Sequence, residues 1–200
     1  KHFGDGTVKA FVYGSGHRCI LPTEEVRSQL EVLQEFQAYT NALIAARRSA
    51  PEEDMITFLT TVEYSPLNRK LTDAEINGIV YAMVIGGLET TQYALAEQVQ
   101  LVIEKHAVWQ ALKADKRKVR AFTEEGMRLR APTQGLSTRT TSQEEVFQGV
   151  AVPKGSFLHM RWAAANIDPL EWDDPTELKL DRKAGTRHLT FSQGARVCPG

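Results

Sequence analysis

Cysteine is scarce in this chain: Cys19 and Cys198 are the two in 200 residues. One widely separated pair is no disulfide framework, so stability has to come from a packed core, and a reducing compartment is the expected setting. Cys19, in "GSGHRCILP", reads as a quiet, partly buried thiol, since nothing around it has a ligand spacing. An excess of either charge is also missing. The 24 Lys and Arg nearly cancel the 25 Asp and Glu, which removes any bulk electrostatic case for binding nucleic acid or a membrane surface. The longest apolar run, around "IVYAMVIGGL", falls well short of the ~20 residues a spanning helix needs. No secretory signal, internal repeat or low-complexity tract is visible. The first residue is Lys1 rather than Met, which leaves a lost targeting or anchor segment open. What is present, 42% hydrophobic and 24% charged residues, is the make-up of an ordinary globular protein.

The periodicity is mostly helical. From Thr23 to Arg48, Val26, Leu30, Leu33, Phe36, Leu43 and Ile44 recur at helical spacing. "SAPEED" breaks this run, "MITFLTTV" predicts a short second helix, and "SPLNRK" a loop. Thr72 with Glu75 three residues later forms a capping box. The helix it opens runs to about Lys105, on the order of 50 Å at 1.5 Å per residue. Further helices are expected over Val108 to Lys113 and Asp115 to Arg130, where Pro132 stops the pattern. "EEVFQGVAVPKGSFLHM" then shows two β-prone runs joined at Pro-Lys-Gly, a hairpin-like signal. A Pro- and Asp-rich irregular segment leads to the end of the chain. The expected class is mainly α with a minor β part.

Chemistry concentrates at the carboxy-terminal "FSQGARVCPG". A cysteine ligates metal as thiolate and needs positive charge or N–H donors to reach that state. Gly194 and Gly200 permit unusual backbone angles and close approach to a flat ligand, and Arg196 can pair with a carboxylate. No second Cys or His stands at zinc spacing. One cysteine ligand suits haem, whose porphyrin supplies the other donors. By itself, the pattern equally fits an ordinary buried cysteine in a glycine loop. The long helix adds "VIGGLETTQ", with two mid-helix glycines at ~1 kcal/mol each relative to Ala. Ala82, Gly86 and Thr90 share one face, a groove of small side chains beside Glu89, which fits either a planar partner or tight helix packing. Finally, Glu125 and Arg128 in "EEGMRLRAP" can pair at i, i+3; an exposed pair of this kind is worth little.

Together these stretches resemble the carboxy-terminal half of a cytochrome P450, a haem-thiolate monooxygenase. The family's cysteine loop, F-x-x-G-x-[H/R]-x-C-x-G, is matched by Phe191, Gly194, Arg196, Cys198 and Gly200. "GGLETT", Gly86 to Thr91, matches the oxygen-activation motif, and Glu125 with Arg128 matches E-x-x-R. Arg182 in "PTELKLDR" stands where the family has a later arginine, with Leu178 in place of an aromatic. "AANIDP" is similar to A-A-N-R-D-P, with Ile167 for the usual Arg, and Ser192 replaces a common Gly. The resemblance runs from roughly Thr23 onward and is nearest the soluble bacterial branch, so a cytoplasmic location is expected. It implies that residues 1–200 are part of one catalytic domain. The distal half would lie upstream and another helix directly after the cysteine loop, so the piece alone should hold haem poorly.

The same resemblance implies roles. Cys198 would be the proximal thiolate ligand of haem b, with Phe191, Gly194, Gly200, Gly86 and Gly87 around the cofactor. Arg196 would bind a propionate, with His188 and Arg139 as further propionate candidates. Thr90 and Glu89 would relay protons during activation of O2. Glu125, Arg128 and Arg182 would form a buried structural network. The implied reaction inserts one oxygen atom into a small apolar substrate, with electrons from NAD(P)H through a redox partner, either ferredoxin with its reductase or a reductase domain. A peroxide-driven peroxygenase and a haem-binding module without oxygenase activity are the alternatives. Val84, Leu88 and Leu136 are candidate pocket residues, and their character says only that the substrate is apolar.

Overall fold

The structure, a computed structural model, describes Phe3, Gly6 and residues 22–135, 138–182 and 188–200. Cys19 and Leu136 lie outside the described residues. The chain divides into two compact units, residues 1–89 and 90–200.

In the first unit, helix α1 (Thr23–Ser49) carries Glu24 and Glu25 in its first turn and Arg47 and Arg48 in its last, charges that complement the helix dipole at both ends. Helix α2 (Met55–Thr61) is capped by Asp54, whose carboxylate accepts the Thr57 N–H at 2.8 Å. The "SPLNRK" stretch departs from a plain loop. It turns between two short strands, β1 (Glu63–Tyr64) and β2 (Arg69–Lys70), paired antiparallel. Helix α3 (Asp73–Glu104) then opens on a reciprocal box. The Thr72 N–H donates to Glu75 Oε2 at 2.8 Å, and the Glu75 N–H donates to Thr72 Oγ1 at 3.3 Å. Ile44, Leu59 and Ile76 form the core, joined by Ile56, Leu71, Ile79 and Val80.

The second unit begins within α3 and continues through α4 (His106–Ala114) and α5 (Lys118–Leu129). Its core is Leu101, Leu112 and Phe122, and Leu178 and Leu180 pack against it. Leu178 therefore takes a core position in spite of being smaller than an aromatic residue. Gly126 lets α5 approach α3 closely: a Cβ there would lie 2.3 Å from the Gln98 amide. Strands β3 (Thr138–Thr140) and β6 (Phe157–His159) pair antiparallel, as do β4 (Glu145–Phe147) and β5 (Val150–Val152). This corrects the hairpin expected at Pro153-Lys154-Gly155. The tight turn is Gln148-Gly149, with φ of 49° and 83°, and two successive positive φ values suit the twist of a two-residue hairpin loop. The Pro-Lys-Gly turn instead leads from β5 to β6 and is tied to Thr141, whose hydroxyl donates to the Pro153 carbonyl at 2.7 Å. Helix α6 (Trp162–Ala165) and a series of turns complete the unit. No helix among the described residues is long and apolar enough to cross a membrane.

Candidate functional site

The cysteine loop is short, exposed and closed on itself. The Ser192 N–H donates to the Leu189 carbonyl at 2.8 Å, and the Cys198 N–H donates to the Phe191 carbonyl at 2.9 Å. Between these bonds, Gly194, Ala195 and Arg196 make one 3-10 turn. Gly194 sits at φ 81°, and a Cβ there would meet nothing within 4 Å. Ser192 also adopts a left-handed conformation, at φ 60°, where a glycine would be relaxed. The loop thus ends with the Cys198 thiol exposed, flanked by Phe191 at 39% exposure and by exposed Gly200. Arg196 closes the turn; its side chain lies outside the described atoms.

A single sulfur is the donor this loop offers. Among the described residues, no group of three or more His, Cys, Asp or Glu side chains is placed to hold a metal ion. An iron bound to Cys198 would have to bring its remaining donors with it, as a porphyrin does. The uncovered thiol and the open space at Gly194 fit a broad, flat group lying against the loop.

The same unit holds a charge cluster of opposite character. Glu125 and Arg128, on α5, are 5% and 1% exposed. Arg128 donates from Nε and Nη2 to the two Glu125 carboxylate oxygens at 2.8 and 3.0 Å. Its remaining donors reach the backbone carbonyls of Asn166, Pro175 and Glu177 at 2.8, 2.6 and 3.0 Å. Arg182 Nε donates to Glu125 Oε2 at 2.8 Å, and its other nitrogens reach the carbonyls of Asp173, Asp174 and Glu177. The Lys179 N–H donates to the same carboxylate at 3.1 Å. Burial pushes the Glu125 carboxyl up, but the hydrogen bonds from Arg128, Arg182 and Lys179 outweigh it and hold the group below its ordinary 4.5. Trp172 closes the cluster, its ring 4.8 Å from the Arg128 guanidinium and 5.7 Å from that of Arg182.

The other candidate residues are dispersed. The His188 ring accepts the Thr190 N–H on Nδ1 at 3.3 Å and faces Glu124 through Nε2 at 3.2 Å. Burial lowers its pKa below 6.5, with Glu124 partly offsetting the effect. Arg139 is exposed on β3 and donates to the Thr138 carbonyl. Gly86 and Gly87 are exposed on α3, and a Cβ on either would meet nothing within 4 Å. Glu89 and Thr90 are half-buried on the same helix. Val84 is half-buried and Leu88 is 42% exposed. Sequence reasoning assigned nothing to Asn166, Trp172 or Thr190. The one local signal was the "AANIDP" stretch, whose asparagine carries a buried, bifunctional amide.

The cytochrome P450 family model matches residues 92–200. The erythromycin C-12 hydroxylase of Saccharopolyspora erythraea is 32% identical over 171 residues, which cover 85% of this chain and 42% of that protein. The steroid C26-monooxygenase of Mycolicibacterium smegmatis is 26% identical over 175 residues, 88% of this chain and 43% of that one. Among solved structures, the ligand-free cytochrome P450 TbtJ1 aligns with a TM-score of 0.88 over 99% of this chain and 50% of its own, at 23% identity. That likeness is one of fold. The chain spans half or less of the length of these proteins.

Proposed function

This chain belongs to the cytochrome P450 family, and from that membership we propose that it contributes the thiolate side of a haem-thiolate monooxygenase. One atom of O2 enters a C–H bond of an apolar organic substrate. The other leaves as water, with two protons and with two electrons from NAD(P)H through a redox partner. Bound haem supplies the redox chemistry and activates O2. The chain's own residues do the rest. Cys198 binds the iron as thiolate from the exposed end of its loop, and Arg196 neutralises a propionate. His188 and Arg139 are secondary propionate candidates. On α3, Gly86 and Gly87 leave room for a flat partner, the Thr90 hydroxyl holds and passes a proton, and Glu89 resupplies it. Glu125, Arg128 and Arg182 keep the floor under the loop rigid. A cytoplasmic setting and a ferredoxin-type or fused reductase belong to the same proposal.

The observation that carries this reading is the exposed lone thiol on a self-closed glycine loop, in a chain with the family's motifs in order. Retention of the Glu89-Thr90 pair speaks against the peroxide-driven alternative, which has no protons to deliver to O2. Full-length protein tests it. A thiolate-type ferrous–CO spectrum, lost in Cys198→Ser, and product formation that requires NAD(P)H, reductase and O2 are expected. With Thr90→Ala, NAD(P)H consumption should continue while product per NAD(P)H falls several-fold, the electrons going to peroxide. Peroxide-supported turnover that ignores the reductase, with coupling untouched by Thr90→Ala, would reassign the enzyme.

A further inference from the structure

One buried side chain, the asparagine of the "AANIDP" stretch, to which the resemblance assigned no role, connects the charge cluster to the cysteine loop. Asn166 is 0% exposed. Its backbone carbonyl accepts Arg128 Nη1 at 2.8 Å, and its backbone N–H donates to the Trp162 carbonyl at 2.8 Å. Its side chain faces the other way along the chain. Oδ1 accepts the Leu189 N–H at 2.6 Å, and Nδ2 donates to Thr190 Oγ1 at 2.9 Å. The Thr190 hydroxyl spends its one proton on the Met127 carbonyl of α5 at 2.7 Å. Leu189 and Thr190 are the residues from which the loop departs, since Leu189 accepts the Ser192 N–H and the neighbouring Phe191 accepts the Cys198 N–H.

We propose that Asn166 is the positioning residue of the thiolate: it transmits the fixed frame of Arg128 and α5 to the base of the loop that carries Cys198. The chemistry of the position demands a carboxamide. Leu189 presents a donor, so an acceptor must face it. Thr190 has already committed its proton, so its oxygen requires a donor. Asparagine supplies both from one planar group. Aspartate would turn a second acceptor toward the Thr190 lone pair, and an aliphatic residue would leave the Leu189 N–H without its acceptor and the Thr190 oxygen without its donor. Arg128 in turn orders the backbone of Asn166. The E-x-x-R pair therefore reaches the cysteine through a defined set of hydrogen bonds within one unit.

The proposal rests on the reading of Cys198 as iron ligand, and two readouts in the full-length protein keep the two ideas apart. The first needs no iron. In haem-free protein, Asn166→Ala should accelerate amide hydrogen exchange at least tenfold at Leu189 and also at Cys198, which Asn166 does not touch. Leu101→Ala, a core truncation matched to it in melting temperature, should leave the ratio of these two rates to the core unchanged. The second is spectroscopic. In haem-loaded protein, Asn166→Ala should convert more than half of the thiolate-type ferrous–CO signal to the thiol type, and Leu101→Ala should not. Should Asn166→Ala fail to fold, Thr190→Val and Thr190→Ser take its place, with the valine variant behaving as above and the serine variant restoring wild type. A melting temperature lowered with exchange at Cys198 and the thiolate fraction both unchanged would overturn the proposal and make Asn166 an ordinary core residue. If Cys198→Ser left the spectrum intact, the assignment of the iron ligand would fall, while the exchange rates would still decide whether Asn166 sets the loop.

Discussion

Glu125 and Cys198 occupy the same unit and are housed in opposite ways. The carboxylate is 5% exposed and takes hydrogen bonds from two guanidinium groups and a backbone N–H. The sulfur is exposed, on a loop closed by two backbone hydrogen bonds and braced at its base by Asn166. The difference is the one expected if the Glu125 role is structural and the proposed role of Cys198 is to bind a ligand. A charge removed from water costs several kcal/mol unless every lone pair finds a donor, so an acid with a permanent structural place must be saturated. A thiolate that is to bind iron needs its lone pairs uncommitted and its surroundings open. One region commits its polar groups to its own interior, and the other leaves its sulfur exposed, as the proposed ligand role would require.

Removing Arg128 should break the comparison most sharply. Arg128→Ala takes from the buried Glu125 carboxylate its bidentate partner, leaving Arg182 and the Lys179 N–H, and takes a donor from three carbonyls. A loss of ~3–5 kcal/mol is expected. Urea titration of the full-length protein measures it. Arg128→Lys should recover little, because an ammonium cannot reproduce the bidentate geometry. A midpoint shift within error for Arg128→Ala would mean that the cluster contributes as weakly as a surface pair.

Acid should probe both regions in turn, at a slope of up to ~1.4 kcal/mol per pH unit for each proton. His188, at the base of the loop, has a folded pKa below 6.5. The unfolded chain therefore takes up its proton first, and stability falls as the pH drops from 6.5 toward the folded value, then levels. Glu125, held below 4.5, contributes stability that is present above 4.5 and lost as the pH falls through its folded value. Stability against pH should show an early stage, removed in His188→Gln, and a later one that persists in that variant. An early stage of unchanged size in His188→Gln would assign it to another group.

Smaller effects are expected within the loop. Ser192 sits at φ 60°, where a side chain costs roughly 1–2 kcal/mol against the 0.5–1 kcal/mol of backbone entropy that glycine adds. Ser192→Gly should stabilise the protein by about 0.5 kcal/mol in thermal melts; a destabilised variant would show that the Ser192 side chain makes a compensating contact. Cys198→Ser closes the series. In haem-free protein, its stability should stay within about 0.5 kcal/mol of wild type, although the thiolate spectrum of the loaded form is abolished. A large loss of stability would place the sulfur in the core and remove the contrast with Glu125.

Much of the helical layout was legible because its signals are local. The Thr72 and Glu75 box, the 3.6-residue spacing up to Ile44 and the break at "SAPEED" each act over a few residues, and α1, α2 and α3 start and stop where those signals say. The strand pairing was less legible. A Pro-Lys-Gly turn and a Gln-Gly turn look alike in sequence until the positive φ values at 148 and 149 decide which one folds two strands together. The cysteine loop could be quoted from ten letters, yet those letters fit a buried thiol as well as an exposed one.

What the sequence determined by itself was the inventory: a lone cysteine among glycines, an acid and an arginine three residues apart, and a long helix with Gly-Gly in its middle. Such patterns depend on chain neighbours alone. Whether Glu125 and Arg128 would be a surface pair or a sealed one depended on Trp172 and on carbonyls from 166 to 177, some 40 to 50 residues away along the chain. Desolvation is set by everything that packs around a charge, and no spacing within one helix encodes it. The Asn166 bridge belongs to the same class: its amide acquires meaning only when Leu189 and Thr190 arrive beside it.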